Sequence, residues 1–139
     1  MKISGMDHIG IAVSSINKAM DFYNQALGLE LSGIENITDR DLKVGFINTD
    51  NIKIELIEPI SEDSTIAKYI AKKGEGIHHI CFKVENITKS LAKLKSGGFE
   101  LIDKAPKDGA KGSKIAFMHP RSAGGVLIEL KEVSKEEVS

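Results

Sequence analysis

Two histidines and two glutamates occupy matching positions in the two halves of this sequence. His8 opens the segment "HIGIAVSSINKAM", and His79 opens "HICFKVENITKSL", which aligns with it without gaps at an offset of 71 residues. Glu55 lies in "KIELIE" near the end of the first half, and Glu129 lies in "LIELKE" near the end of the second. Two imidazoles and two carboxylates can bind a divalent cation and leave coordination positions open. The repeat therefore predicts a metal site to which each half contributes one histidine and one glutamate.

A single histidine on a strand, or a glutamate between Ile and Leu, is ordinarily structural. Here both recur together in the two halves, which favours the metal site. The repeat also distinguishes the adjacent residues His78 and His79, whose side chains point to opposite faces of a strand. His79 is the counterpart of His8, so we expect His79 to face the site and His78 to face away. We expect structural roles for His78 and His119, with a substrate contact as the alternative for His119.

Each half of the sequence reads as a strand, a helix and three more strands. Ser14 or Ser15 can cap the first helix and Asn86 the second, while Gly28 and the Gly97-Gly98 pair end them. Strands near 99–104, 113–118 and 125–131 are expected to complete the second half. The spacing of apolar residues predicts that strand residues pack against helix residues such as Met20 and Leu91; the strand residues are Ile11, Val13, Phe82 and Val84.

The pattern predicts an α+β fold of two tandem βαβββ modules. The modules span about residues 5–60 and 76–132, and a linker helix at about 64–74 joins them. We expect a single domain over residues 1–139, because this length with 41% hydrophobic residues suits one core. Two half-buried sheets leave a concave surface between them, and ligand sites favour such clefts.

Composition argues against several classes of protein. The nineteen Lys and Arg residues nearly balance the twenty Asp and Glu residues, and the two signs are interspersed along the chain. This distribution gives no basic surface of the kind that binds nucleic acid. Cys81 is the only cysteine, which excludes a disulfide framework and fits a reducing compartment. The start of the chain lacks the apolar region of a secretion signal, and no apolar run approaches the ~18 residues of a membrane span. We therefore expect a soluble cytoplasmic protein without nucleic-acid or membrane partners.

Several segments resemble the vicinal oxygen chelate superfamily, which includes glyoxalase I, extradiol dioxygenases and methylmalonyl-CoA epimerase. They are "DHIGIAV", "IELIEP", "HHICFKV" and "GVLIEL". Within the superfamily, "DSTIAKYIAKKGEGIHHICF" and "IAFMHPRSAGGVLIEL" are similar to the epimerase family. The resemblance implies the vicinal oxygen chelate fold and one divalent ion, preferably cobalt, with Mn, Zn, Ni and Mg as alternatives. It places the metal ligands at His8, Glu55, His79 and Glu129.

The same resemblance implies an isomerase of propionyl-CoA metabolism that interconverts (2R)- and (2S)-methylmalonyl-CoA. The expected chemistry removes the C2 proton and returns a proton to the opposite face, with Glu129 and Glu55 as the proton carriers. Some epimerases carry glutamine at the position of Glu55 and a separate glutamate at the position of Val44. We expect Val44 to lie across the hairpin from Glu55, so that Glu55 replaces the missing carboxylate. The assignment of the base stays open.

The segment from Asp103 to Arg121 carries five basic and two acidic residues. It predicts either a basic rim for the phosphates of a CoA thioester or an ordinary solvated turn. The candidate substrate contacts are Lys107, Lys114, His119 and Arg121. A homodimer is expected, because sheet edges and apolar surface are usually covered by a partner.

Two alternative functions remain. One is an isomerase of the lactoylglutathione lyase (glyoxalase I) type, and the other is a small-molecule-binding protein without activity. Because binding members of the superfamily commonly lack one or more of the four ligands, the complete set here favours an enzyme.

Overall fold

The computed structural model describes residues 1–133, which form two compact units. The N-terminal unit comprises residues 8–78. The C-terminal unit comprises residues 1–7 together with the segment that begins at His79. The chain therefore passes between the units at two peptide bonds, Asp7–His8 and His78–His79. That the whole chain is a single domain stays a prediction.

The N-terminal unit is one βαβββ module followed by a helix. Its sheet has the order β2-β3-β4-β1, in which β1 and β4 are parallel and the other neighbours are antiparallel. Strand β1 begins in the C-terminal unit and crosses the boundary after Asp7. The elements are β1 (Ile3–Ala12), α1 (Ile16–Gln25), β2 (Leu31–Ile37), β3 (Leu42–Asn48), β4 (Lys53–Pro59) and α2 (Thr65–Lys73).

The side chain of Ser15, rather than Ser14, caps helix α1. Its hydroxyl oxygen accepts the N–H of Lys18 at 3.2 Å, which satisfies a backbone donor that the helix cannot pair. The helix then buries Ile16 in a core with Val13, Ile47 and Leu56, and Ile11 and Met20 pack against this core as predicted.

The C-terminal unit repeats the module. Its strands have the order β5-β8-β7-β6, and β5 and β8 are parallel. The elements are β5 (Gly76–Val84, of which the first three residues belong to the N-terminal unit), α3 (Ile87–Ser96), β6 (Lys107–Asp108), β7 (Lys114–Met118) and β8 (Ile128–Glu132). Asn86 caps α3 by accepting the N–H of Lys89 at 3.0 Å. The core consists of Val84, Ile87, Leu91, Ala116 and Leu130, with Phe82 packed against it. The predicted α+β class and the repeated βαβββ order are confirmed.

Helix α2 matches the predicted linker helix and lies against β4. Ser64 caps it, Ile66 is buried, and Gly74 ends it with a φ of 81°, a conformation that glycine adopts without strain. The α-helices in residues 1–133 have nine or ten residues each, and no helix there is long and apolar enough to cross a membrane.

The prediction of a strand near residues 99–104 is wrong. In that segment Leu101 forms only an isolated bridge with Met118. The N–H of Asp103 donates to the carbonyl oxygen of Phe117 at 3.1 Å, and the carboxylate of Asp103 accepts the N–H of Phe117 at 2.8 Å. The side chain of Asp103 thus binds the N–H of Phe117, which a continuous strand would need for backbone pairing. Regular strand pairing therefore stops at this point.

Strand β8 begins later than predicted, at Ile128 rather than near residue 125. Gly124 and Gly125 precede it with φ values of 66° and 93°. These left-handed conformations form a turn, and they are incompatible with an extended strand.

Candidate metal-binding and catalytic site

In the N-terminal unit, Nδ1 of His8 lies 3.1 Å from a carboxylate oxygen of Glu55. Both residues are buried, with exposed fractions of 3% and 9%. Strands β1 and β4 are parallel, and their register places His8 opposite Lys53 and Gly10 opposite Glu55. Glu55 is therefore displaced by two residues from its histidine, which keeps both side chains on the same face of the sheet.

The C-terminal unit contains the same arrangement. Nε2 of His79 lies 2.8 Å from a carboxylate oxygen of Glu129, and the two residues are 4% and 5% exposed. Parallel strands β5 and β8 place Cys81 opposite Glu129, so this glutamate is also two residues beyond its histidine. The two halves thus match in strand register and in the pairing of histidine with glutamate, as they do in sequence.

Each glutamate faces a phenylalanine on the neighbouring antiparallel strand. Phe46 on β3 is opposite Glu55, and Phe117 on β7 is opposite Glu129. The ring of Phe117 also lies edge-on to the ring of His79, with centroids 5.5 Å apart. The sequence analysis did not identify these residues, although Phe46 and Phe117 are 71 residues apart, the offset of the repeat. They give each pair an apolar wall that limits the access of water.

The contacts of the adjacent histidines differ. His79 pairs with Glu129, whereas the ring of His78 packs edge-on against Tyr69 with centroids 4.8 Å apart. The hydroxyl of Tyr69 in turn donates to the carbonyl oxygen of Ile77 at 2.9 Å. His78 thus contributes to the packing of α2, and the pairing with a glutamate belongs to His79.

The expected position of Val44 is wrong. The register of β3 and β4 places Val44 opposite Ile57, and Phe46 is the residue opposite Glu55. Val44 shares a face with Glu55 but lies two residues from the position opposite it, a displacement of about 7 Å along the strand. Val44 is a buried apolar side chain that does not directly oppose Glu55.

A second glutamate in each repeat serves the helix instead. A carboxylate oxygen of Glu58 accepts the N–H of Ile16 at 2.7 Å, and one of Glu132 accepts the N–H of Ile87 at 3.0 Å. Each tethers the last strand of its module to the first residue of the helix and satisfies a free backbone donor. The signal for this role is the recurrence of "IEL" followed by one residue and Glu.

A buried ion pair lies beside the site residues in the sequence. Nζ of Lys131 is 3.1 Å from a carboxylate oxygen of Asp7. Asp7 immediately precedes His8, and Lys131 follows Glu129 by two residues. The sequence analysis did not identify this pair, because nothing in the sequence indicates that the two ends of the chain meet.

Three of the four predicted substrate contacts form ion pairs with neighbouring carboxylates. Lys107 lies 3.3 Å from Asp103, Lys114 lies 2.7 Å from Asp108, and Arg121 lies 3.4 Å from Glu100. Nζ of Lys107 also lies 5.1 Å from the ring centroid of Phe117. Their positive charges are therefore partly neutralised within the segment itself.

The fourth predicted contact, His119, organises the turn after β7. Its Nδ1 accepts the N–H of Arg121 at 3.0 Å, which caps the short 3-10 helix Pro120–Ala123. The same Nδ1 atom lies 3.2 Å from a carboxylate oxygen of Glu100.

The chemistry of the two pairs suits a divalent metal ion. The His8–Glu55 pair of the N-terminal unit and the His79–Glu129 pair of the C-terminal unit each offer buried imidazole and carboxylate donors that could hold one. Buried carboxylates need a compensating positive charge. Imidazole nitrogen and carboxylate oxygen together are suitable ligands for divalent ions of intermediate hardness. The residues therefore fit the group that the sequence predicts.

Residues 7–117 match the Glyoxalase/Bleomycin resistance protein/Dioxygenase superfamily, and the protein belongs to it. The chain is 38% identical to an ethylmalonyl-CoA/methylmalonyl-CoA epimerase of Cereibacter sphaeroides, over 94% of this chain and 99% of that one. It is also 38% identical to the mitochondrial methylmalonyl-CoA epimerase of Homo sapiens, over 91% of this chain and 73% of that one. A solved methylmalonyl-CoA epimerase in complex with methylmalonyl-CoA and NH4+ superposes with a TM-score of 0.89 at 31% identity, covering 96% and 97% of the two chains.

Proposed function

We propose that this protein is an isomerase that interconverts (2R)- and (2S)-methylmalonyl-CoA. The observation that carries the proposal is the similarity to epimerases over nearly the whole chain, combined with a buried His–Glu pair in each unit. The likeness to a structure in complex with methylmalonyl-CoA supports a CoA thioester as the substrate.

Epimerisation needs two proton carriers, one on each face of C2. We assign these roles to Glu129 and Glu55, which occupy equivalent positions of the two repeated units. One carboxylate removes the C2 proton, and the other returns a proton to the opposite face. The phenylalanine opposite each carboxylate provides an apolar wall beside it, which favours proton transfer by the carboxylate over protonation by bulk water.

The proposed metal ligands are His8, Glu55, His79 and Glu129. Each histidine is buried and lies within 3.1 Å of its glutamate in its own unit, which supports these four residues as ligands. When bound, a divalent ion supplies positive charge that stabilises the enolate. Cobalt is the proposed ion, and Mn, Zn, Ni and Mg are compatible with the same donors.

The remaining proposals concern the state of the protein in the cell. We place it in the cytoplasm as a homodimer, and we assign the whole chain to one domain. The solitary buried Cys81 fits a reducing compartment, and large apolar side chains on the surface support a partner copy.

The test is a direct assay of the purified, metal-loaded protein with a single epimer of methylmalonyl-CoA. Formation of the other epimer, resolved by a stereospecific coupled reaction, is the expected result. Ethylmalonyl-CoA is assayed in parallel, because the Cereibacter sphaeroides relative is named for both substrates. Turnover of a methylglyoxal–glutathione hemithioacetal in place of these thioesters would support the glyoxalase alternative, and binding without turnover of any of the three would support the binding protein.

A further inference from the structure

A cavity of about 470 Å³ lies beside the C-terminal end of α3 in the C-terminal unit. This volume falls within the range of small-molecule sites. The cavity is lined by Lys95, Phe99, Glu100, Leu101, Lys104 and His119.

None of the residues that line the cavity is one of the four proposed metal ligands. Leu101 packs against the core that contains Ala116 and Leu130. Each of these core residues is next in sequence to a residue of the candidate site, Phe117 and Glu129, and adjacent strand residues point to opposite faces. Leu101 thus lies on the face of the sheet opposite Phe117 and Glu129.

Two lysines give the cavity a positive charge. In residues 1–133, neither Lys95 nor Lys104 has a carboxylate within ion-pair distance, in contrast to Lys107 and Lys114 in the following segment. The acidic residue of the lining, Glu100, is already engaged by Arg121 at 3.4 Å. The two lysines therefore remain available to an anionic ligand.

The lining also offers a flat apolar surface. Phe99 is 49% exposed, although its ring lies against the helix end at Gly97, where an added Cβ would come within 3.1 Å of it. An aromatic ring held in this way can stack on the planar group of a ligand. A planar group that carries phosphate would satisfy both the ring and the lysines.

We propose that this cavity binds an adenine nucleotide, with the base on Phe99 and the phosphates at Lys95 and Lys104. The proposal rests on the proposed function, since a CoA thioester carries a phosphorylated adenosine. A free adenine nucleotide has the same chemistry and is the other possible source. The experiments below distinguish the two.

The first experiment measures binding of adenosine 3′,5′-bisphosphate to the full chain by isothermal titration calorimetry. Lys95→Ala and Lys104→Ala should each weaken binding about tenfold, the effect expected for losing one charge-assisted contact. Lys104→Arg should retain most of the affinity. Lys89→Ala is the matched control, because it removes the same charge from the exposed surface of α3 outside the cavity.

The second experiment identifies the source of the nucleotide. If the nucleotide belongs to the substrate, Lys104→Ala raises KM for methylmalonyl-CoA about tenfold, leaves kcat unchanged and has no effect on methylmalonyl-pantetheine. If only bisphosphate binding weakens and KM is unchanged, the occupant is a free nucleotide. Either result supports the cavity.

The proposal is overturned if the wild-type protein does not bind the bisphosphate, or if Lys89→Ala weakens binding as much as Lys104→Ala. A protein that binds the bisphosphate through Lys95 and Lys104 but turns over no thioester would contradict the proposed function and leave the cavity assignment standing.

Discussion

The ammonium group of Lys131 lies 3.1 Å from the carboxylate of Asp7, and both side chains are largely removed from solvent. In the N-terminal unit, the position that corresponds to Lys131 is the buried apolar residue Ile57. The ion pair therefore has no counterpart in the N-terminal unit, although it lies beside the histidine and glutamate that recur in both halves. It joins the first strand to the last one within the C-terminal unit.

Lys131→Met should destabilise the protein by about 3 kcal/mol, because it leaves the buried carboxylate of Asp7 without its cation. The double variant with Asp7→Asn should recover much of the loss. Chemical denaturation of the two single variants and the double variant measures the coupling. Lys2→Met, which breaks the exposed pair with Glu85 at 3.5 Å, is the control and should change stability by less than about 0.5 kcal/mol.

Removal of either site histidine should abolish metal retention. His8→Ala and His79→Ala each delete a nitrogen donor, whereas His78→Ala removes a ring that packs on Tyr69. Metal content after dialysis, measured by atomic emission on folded protein, should fall to background in the first two variants and stay near wild type in the third. Loss of metal from the His78 variant as complete as that from the His79 variant would contradict the assignment.

Replacing a proton carrier should suppress epimerisation. We expect Glu129→Gln and Glu55→Gln each to reduce the rate by about 10²- to 10⁴-fold, the contribution of a positioned acid or base. The measurement uses one pure epimer in D₂O, with metal content checked in each variant. A variant that retains metal should still exchange the C2 proton of one epimer without inverting it, and the surviving epimer should differ between the two variants.

The same experiment decides the role of Glu55. If Glu55→Gln epimerises at a near wild-type rate, Glu55 is a ligand that glutamine can replace. The second carrier would then be another group, since Val44 has no proton to exchange.

The helix-capping glutamates should affect stability and leave the metal in place. Glu58→Ala or Glu132→Ala removes the acceptor for one helix N–H, at a cost of about 1–2 kcal/mol. Thermal unfolding should show the loss, while metal content and C2 exchange stay at wild-type levels. These variants are also matched controls for Glu55 and Glu129, because each lies three residues farther along the same strand.

The protein should be a homodimer in solution. Among the residues described, Phe22, Leu27 and Ile77 each expose more than half of their side-chain surface. Large apolar side chains of this kind are commonly covered by a partner. Light scattering at working concentration should give twice the mass of the 15.1 kDa chain, and a strict monomer would refute the prediction.

Features that depend on local chemistry could be predicted from the sequence. Asn86 was predicted as a helix cap because Asn is favoured at this position, and the N–H of Lys89 donating to its side chain confirms it. Val13, Val84 and Leu91 were placed in the core because apolar periodicity determines which face of a helix or strand is buried. The pairing of each histidine with its glutamate followed from the repeat, since two similar segments adopt similar folds.

Features that depend on register and on distant contacts were decided by the tertiary structure. The geometry of the hairpin sets a register that differs by two residues from the predicted one and places Phe46, rather than Val44, opposite Glu55. The carboxylate of Asp103 accepts the N–H of Phe117, which interrupts the strand pairing that was predicted there. Asp7 forms an ion pair with Lys131, which is 124 residues away in the sequence. Such contacts form only when the packing of whole modules brings the partners together, so residue type and spacing do not determine them.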